Sequence, residues 1–168
     1  EEHLMGRAGM VGDELGSKII ASRLARDIMR LGFLIEKRYA PYAKWFGTAF
    51  KELECAFELG PILEQALAAK SWQTRDERLG TAYELMANRF NALKVVAAIP
   101  SKTTNFYERP LRVIWGEKIA ASILKEIKDA DVKRIATKTL IGSVDQWSDS
   151  VDLLEDLEMI NKIKQKSY

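Results

Sequence analysis

Histidine and cysteine are the residues that this sequence most lacks. Its 168 residues include one of each, His3 and Cys55. A Ser-His or Cys-His nucleophile pair would have to use His3, which we expect to be frayed because it lies near a terminus. Zinc sites with several His or Cys ligands are excluded. A helical ribonuclease in which a His closely follows an Arg is excluded too, because His3 precedes every arginine.

The shortage of cysteine also bears on the compartment. With Cys55 alone, no intramolecular disulfide can form, and a reducing compartment is the natural interpretation. We therefore expect a cytoplasmic protein. Cys55 itself lies beside a predicted apolar helix face, which favours a structural role.

Long apolar runs and a strong net charge are missing as well. Runs such as residues 95–99 fall far short of the roughly 20 apolar residues that span a bilayer, so no membrane is expected as a partner. The net charge of +2 gives no bulk attraction to nucleic acid, and any polyanion site must come from local clustering. Hydrophobic residues at 47% and charged residues at 30% are ordinary globular values, and the length suits one domain.

Helical periodicity is the dominant positive signal. Apolar residues recur at spacings of three and four from residue 14 to about residue 164, and strand signals are nearly absent. The sequence therefore predicts an all-α fold, a single bundle-like domain of six or seven helices. Three glycines within residues 6–12 predict an irregular lead-in over residues 1–12, and residues 95–109 break the period and predict a long loop.

Local signals place several helix starts. Asp13 is a plausible N-cap for the first helix. Pro41 suits the first turn of the second, whose apolar stripe includes Tyr42 and Trp45 and should be buried. Gly60-Pro61 marks a third start. A capping box that begins at Thr74 marks a fourth.

A basic stripe runs along the first predicted helix. Its members are spaced by three, four and seven residues and share one face: Arg23, Arg26, Arg30 and Lys37. Arg38 and Lys44 follow at the next corner, together with tyrosines. The stripe is open to three interpretations: a solvated face, a surface for phosphate or nucleic acid, or an ion-pair partner of acidic residues elsewhere.

An acidic stripe lies on the last predicted helix, at Asp145, Asp149, Asp152 and Asp156. Like charges one turn apart repel by a few tenths of a kcal/mol per pair, so we expect something to compensate them. Pairing with the basic stripe, or solvation, is favoured over Mg²⁺ binding.

Two further features of the sequence bear on function: its four tryptophans and a possible catalytic motif. The tryptophans lie at or near apolar helical positions, where core packing is favoured over a base-stacking platform: Trp45, Trp72, Trp115 and Trp147. A nucleotidyltransferase site needs carboxylates for Mg²⁺, usually a Gly-Ser followed by Asp-x-Asp. Gly16-Ser17 is followed by Asp27, but Met29 stands where the second aspartate is needed. The catalytic domain of such an enzyme is therefore not in this chain.

Residues 36–50 carry a specific pattern, Tyr-x-Pro-Tyr-x-Lys-Trp, which begins at Tyr39 and ends at Trp45. It resembles the hallmark of the domain-of-unknown-function 4037 family. Segments 12–17, 109–113 and 143–150 agree with it, so the resemblance covers nearly the whole chain. It implies a helical domain that follows a small nucleotidyltransferase domain, and we expect this chain to be the C-terminal part of a longer protein.

The resemblance and the charge pattern together give a leading hypothesis. This chain would be a helical accessory or substrate-binding domain that contacts a nucleotide or small-molecule acceptor and is not catalytic alone. Its partner would be an upstream nucleotidyltransferase domain, through which Mg²⁺ would enter, with no cofactor in this chain. The candidate phosphate- or substrate-binding residues are Arg30, Arg38, Tyr39, Tyr42, Lys44, Trp45, Arg109 and Arg112. The candidate metal or ion-pair residues are Asp145, Asp149 and Asp152.

Two alternatives stay open. One is a protein-interaction or dimerisation domain without a small-molecule site, for which a homodimer is the natural partner. The weaker one is a Mg²⁺-dependent helical phosphohydrolase that uses the aspartate stripe.

Overall fold

The computed structural model describes residues 1–136 and 156–167. Eight helices and one antiparallel hairpin occupy this part of the chain. They confirm the predicted helical fold class, although the sequence predicts six or seven helices and no hairpin. The helices are α1 (Leu4–Met10), α2 (Glu14–Ile35), α3 (Ala43–Phe50), α4 (Ala56–Ala68), α5 (Trp72–Ala92), α6 (Gly116–Glu126), α7 (Ala130–Ala136) and α8 (Leu157–Ser167). The strands are β1 (Thr104–Phe106) and β2 (Arg109–Val113).

The core lies between α1, α2, α4 and α5. Each of these helices turns apolar side chains inward at helical spacing, which is what drives their packing. Fully or almost fully buried members include Met5, Leu24, Ile28, Leu59, Leu63, Leu79 and Met86. By contrast, α6 and α7 contain no buried residue.

Polar side chains at the start of α2 connect it to the start of α5. Asp13 caps α2 as predicted, because its Oδ1 accepts the backbone N–H of Gly16 at 2.7 Å. One residue on, Glu14 accepts the N–H of Trp72 at 3.1 Å and pairs with Arg75 at 3.2 Å. The Arg75 guanidinium is completely buried and also donates to Ser17 Oγ at 2.7 Å. The segment around Gly12-Asp13-Glu14 is therefore an anchor for α5.

The irregular lead-in predicted for residues 1–12 is wrong, because Leu4–Met10 forms α1. Its glycines face other elements: Gly6 lies against Leu111 and Gly9 against Trp72. The glycines thus allow close approach of α1 to its neighbours, a packing role that a count of glycines cannot distinguish from a loop.

Two predicted helix starts are also displaced. Gly60-Pro61 lies inside α4, which begins at Ala56, because burial of Leu59 and Leu63 outweighs the hydrogen bond that Pro61 removes. The cap of α5 is Ser71, whose side chain accepts the N–H of Thr74 at 3.3 Å.

The long loop predicted for residues 95–109 is partly wrong, since β1 and the first residue of β2 fall within it. The strands pair antiparallel with Asn105 opposite Arg112, and a register irregularity follows Asn105. Leu111 and Val113 are buried, so β2 packs one face on the helices. The sequence of β2 includes Pro110 and arginines, which hid this strand from a periodicity argument.

Asp145, Asp149 and Asp152 lie outside the described residues, as does Trp147. The predictions made for them stay predictions. In the part of the chain that the structure describes, no helix combines the length and the apolar character needed to cross a membrane.

The close contact at Gly9 can be tested by substitution. In Gly9→Ala the new Cβ would overlap Cβ and Cγ of Trp72, and overpacking of this kind costs roughly 2 kcal/mol of unfolding free energy. Gly47→Ala is the matched control, since no atom lies within 4 Å of a Cβ at that helical position. We expect it to stabilise the protein by up to about 1 kcal/mol. Urea unfolding measures both, and equal effects would contradict the described packing of α1.

Candidate functional site

The candidate site begins where α2 ends. Lys37 adopts a left-handed conformation, with φ of 54°. Its N–H donates to Leu34 O at 3.1 Å, and the N–H of Arg38 donates to Phe33 O at 2.9 Å. These two bonds form a Schellman motif, which usually has glycine in the left-handed position. The chain therefore leaves α2 sharply, with Lys37 and Arg38 exposed.

Two charged side chains fasten this corner to the turn before α4. Glu36 accepts the N–H groups of Glu54 at 2.9 Å and Cys55 at 2.8 Å, and Arg38 Nη1 donates to Glu52 O at 2.9 Å. Burial raises the pKa of Glu36, but the hydrogen bonds from Cys55 and Glu54 outweigh it and hold the pKa below its ordinary value. The guanidinium of Arg38 therefore has a structural role, because it holds the turn before α4.

Cys55 is buried at this clamp, as its predicted structural role requires. Burial, followed by the hydrogen bond and the negative charge of Glu36, raises the pKa of the Cys55 thiol to about 12. The thiolate is the reactive form of cysteine, so this residue is chemically inert near neutral pH.

The aromatic residues of the corner are on the surface. Tyr39 is 90% exposed, Tyr42 is 45% exposed and Trp45 is 50% exposed. The prediction that Tyr42 and Trp45 are buried in the core is therefore wrong. Phe33, Phe46 and Phe50 fill the core at this point instead, with the rings of Phe33 and Phe46 5.4 Å apart.

Lys44 completes the surface. It lies in the first turn of α3, and its Nζ stands 5.1 Å from the centroid of the Trp45 ring. This is a cation–π geometry, and it places a positive charge beside an exposed aromatic face. We call this surface the corner patch, and it consists of Lys37, Arg38, Tyr39, Tyr42, Lys44 and Trp45.

Two clefts adjoin the corner patch and share Arg38 and Glu52 in their walls. One, of about 420 Å³, also includes Lys37 and Tyr39. The other, of about 590 Å³, continues along Glu36, Glu54 and Arg89. The corner patch therefore has concave surface on both sides of Arg38.

The remaining candidate residues lie elsewhere. Arg30 is in the middle of α2, where Arg26 and Arg30 partly offset the effect of burial, which raises the pKa of Asp27. Arg23 pairs with Glu1 at 2.9 Å. Part of the basic stripe is thus neutralised by carboxylates of the same domain, and Lys37 is the member of the stripe that belongs to the corner patch.

Arg109 and Arg112 lie on β2. The backbone N–H of Arg112 donates to both Asp76 oxygens, at 3.1 and 3.3 Å, and its Nε lies 4.0 Å from Asp76 Oδ2. Its side chain also passes over Gly80. These contacts fasten the hairpin to α5, so they give Arg112 a structural task.

Several residues of the clefts were missed by sequence reasoning. Glu52 and Glu54 come from the turn before α4, a few residues after the motif, and Arg89 comes from α5, far from the motif in sequence. Nothing in their local pattern marks them, because each is a single charged residue on an ordinary helix or turn. Within residues 1–136 and 156–167, no group of His, Cys, Asp and Glu is arranged to hold a metal ion.

Comparison with known proteins gives one family. A family model described as a domain of unknown function (DUF4037) matches residues 1–46, which confirms the predicted family over this part of the chain. The match includes α1, α2 and the corner patch, and it is narrower than the resemblance predicted for nearly the whole chain. No curated protein and no solved structure matches the chain.

The strained position at Lys37 predicts an unusual response to glycine. A left-handed conformation costs a residue other than glycine about 1 kcal/mol, so Lys37→Gly should raise the free energy of unfolding by up to that amount. Lys51→Gly is the control, because Lys51 caps α3 with φ of −61° and glycine there should destabilise. Thermal melting distinguishes the two signs. A loss of stability in both variants would contradict the Schellman assignment.

The buried carboxyl of Asp76 predicts a pH dependence. Burial raises its pKa from 3.8 to about 6, although the N–H and the charge of Arg112 act in the opposite direction. The native state then binds the proton more tightly than the unfolded state, so this contribution to stability is complete below pH 4 and is lost as the pH rises through 6.

The measurement compares wild type with Asp76→Asn between pH 4 and pH 7. The unfolding free energy of wild type relative to the variant should fall across this range, by up to about 3 kcal/mol. Glu77→Gln, at the next and exposed position of α5, should show no such change. A difference between wild type and Asp76→Asn that is constant with pH would contradict the assignment.

Proposed function

We propose that this chain, which carries the DUF4037 family region at residues 1–46, is the helical, substrate-binding companion of a nucleotidyltransferase-like domain. In this proposal the corner patch contacts the nucleotide or its acceptor. The chain binds and orients, and transfer chemistry with Mg²⁺ belongs to a separate catalytic domain. The proposed contact residues lie within the matched region, at the end of α2 and the start of α3.

The exposed aromatic surface carries this proposal. Tyr39, Tyr42 and Trp45 together leave large apolar rings in water, although burial of such rings is favourable by a few kcal/mol each. Exposed apolar surface that is grouped in one place is typical of binding sites. Aromatic faces stack on nucleobases at about 1–3 kcal/mol per base, which would offset the exposure.

The charges of the corner patch suit the rest of a nucleotide. Lys44 stands beside the Trp45 ring, and Lys37 and Arg38 line the same cleft as Tyr39. An ammonium or guanidinium group binds phosphate through charge-assisted hydrogen bonds. The cleft of about 420 Å³ beside Tyr39 and Arg38 offers room for the sugar and phosphates. A protein-interaction domain with a flat surface would not require such a cleft.

A protein-interaction or dimerisation domain is the second candidate function. Exposed Tyr and Trp residues are also the usual energetic centres of protein interfaces. Phe57, 89% exposed on α4, adds a large apolar ring outside the corner patch. This candidate predicts a self-associating chain whose association depends on Trp45.

Isothermal titration calorimetry on the 168-residue chain tests the first candidate. ATP and GTP should bind, and Lys44→Ala and Trp45→Ala should each weaken binding by roughly five- to tenfold through loss of a phosphate contact or a stacking face. Lys51→Ala is the matched control, since this exposed lysine lies at the other end of α3. Its affinity should equal that of wild type.

Analytical ultracentrifugation of the same proteins separates the two candidates. The nucleotide-binding proposal expects a sedimentation coefficient that Trp45→Ala leaves unchanged. Absence of nucleotide binding, together with a dimer that Trp45→Ala dissociates, would reject the first candidate and favour the second.

A further inference from the structure

A cavity of about 250 Å³, separate from the two clefts described above, lies between the hairpin, the start of α6 and the first residues of the chain. It is independent of the corner patch. Aromatic rings from the hairpin and from the residue before α6 form one part of its wall, and carboxylates form another. The rings are those of Phe106, Tyr107 and Trp115, and the carboxylates are those of Glu1, Glu2 and Glu117.

The three rings pack against one another as one cluster at the cavity wall. Tyr107 and Trp115 are nearly perpendicular, at 87°, with centroids 5.3 Å apart. Phe106 lies 5.8 Å from Trp115 at 31°. Ring faces of such a cluster that are not covered by a neighbouring ring can attract an ammonium group, because each face is electron-rich.

Polar contacts hold this arrangement in place. The Trp115 indole N–H donates to Thr104 Oγ1 at 2.7 Å. Glu2 accepts the N–H groups of Ile114, Trp115 and Gly116, and so fastens the start of the chain to the start of α6. The cavity is therefore built from segments that are fixed to one another.

His3 closes one side of the cavity. Its ring stacks on Phe106 at 3.9 Å and 3°, so the prediction of a frayed His3 is wrong. Burial is the largest cause of a lowered pKa at His3. Its imidazole is therefore mostly neutral at pH 7 and adds no positive charge against a cation.

Backbone strain is concentrated at the same place. Tyr107 and Trp115 have φ of 55° and 59°, in the left-handed region that bulky residues rarely adopt. Strained residues persist where the surrounding structure holds them, and they cluster at binding sites. Here the strained backbone positions belong to Tyr107 and Trp115, two of the residues whose rings line the cavity.

Charges of both signs lie near the cavity, since Arg7 and Arg109 act on His3 and Glu117 belongs to the wall. Lys118 Nζ lies 4.2 Å from the Trp115 centroid, so this ring already attracts an ammonium group. The carboxylate of Glu117 forms no hydrogen bond or ion pair with any residue that the structure describes. It is a negative charge at the cavity wall without a counter-ion from the described chain.

We propose that this cavity is a binding site for an organic ammonium group, with the cation against the aromatic wall formed by Tyr107 and Trp115 and with Glu117 as its counter-ion. The small volume suits a headgroup such as trimethylammonium better than a large ligand. The ligand class is thus alkylated amines, either free or at the end of a protein side chain.

Choline is the probe, and the Trp115 indole N–H is the reporter in a two-dimensional NMR titration of the 168-residue chain. Choline should shift this signal in a saturable manner. The neutral isostere 3,3-dimethylbutan-1-ol, which has the same shape without the charge, should not. Binding should weaken as salt rises, because the counter-ion lies at the surface.

Three variants sharpen the test while Trp115 is kept as reporter. Tyr107→Leu should weaken choline binding about three- to fivefold through loss of a ring face, and Glu117→Gln about threefold. Lys118→Ala should strengthen it, because a competing positive charge is removed. Glu126→Gln, an exposed glutamate at the other end of α6, is the matched control and should leave the affinity unchanged.

A peptide that contains trimethyllysine distinguishes the two sources of the ligand. Tighter binding of the peptide than of choline would assign the site to a protein side chain, and equal or weaker binding would assign it to a small molecule. The proposal is overturned if the neutral alcohol shifts the Trp115 signal as choline does. It is overturned equally if Glu117→Gln matches Glu126→Gln.

Discussion

The guanidinium of Arg75 is completely buried, and its hydrogen bonds join three separate segments of the chain. It donates to Ser17 and Glu14 on α2 and to the carbonyl of Ala69 before α5. The Glu14 side chain is 41% exposed, but loss of a partner would still leave the buried guanidinium charge with less compensation, which is destabilising. The relative position of α2 and α5 therefore depends on this residue. Since α1 and α4 pack on that pair, the whole core depends on it as well.

Carboxylate side chains also hold separate segments together at other places in the structure. Acidic side chains accept backbone N–H groups from segments far away in sequence, and in this way they hold the irregular parts of the chain on the helical core. Glu36 holds the turn before α4, Asp76 holds β2 and Glu2 holds the start of α6. Glu84 holds Thr103 at 3.0 Å and Lys102 at 2.7 Å, and the lysine contact is the largest cause that lowers the pKa of Glu84 to about 2. Both candidate surfaces are built on such clamps.

These clamps explain why aromatic side chains can stay exposed without loosening the fold. At the corner, Glu36 and Arg38 hold the backbone, so Tyr42 and Trp45 are not needed for packing and lie on the surface. At the cavity beside Trp115, Glu2 holds the backbone in the same way, because it accepts the N–H of Trp115. The clefts beside Arg38 and the cavity beside Trp115 are both bounded by these fixed segments. In each place a few polar contacts hold the backbone beside the aromatic rings, as both binding proposals require.

Local signals in the sequence were sufficient for much of the fold. The period of three and four predicted the helices, Asp13 marked the start of α2 as its cap, and the Tyr-x-Pro-Tyr-x-Lys-Trp pattern indicated the family and the corner. These features could be predicted because capping, periodicity and a compact motif depend on residues within a few positions of one another. Whether the corner binds a nucleotide stays a prediction.

Only the tertiary structure decided which side chains face the core and which segments meet. Gly9 lies in a helix, where its lack of a side chain lets Trp72 approach, and Phe33 and Phe46 pack in the core while Trp45 is exposed. The cavity beside Trp115 joins residues from the start of the chain to the hairpin and to α6. No local pattern contains such information, because contacts between distant segments depend on how the whole chain packs.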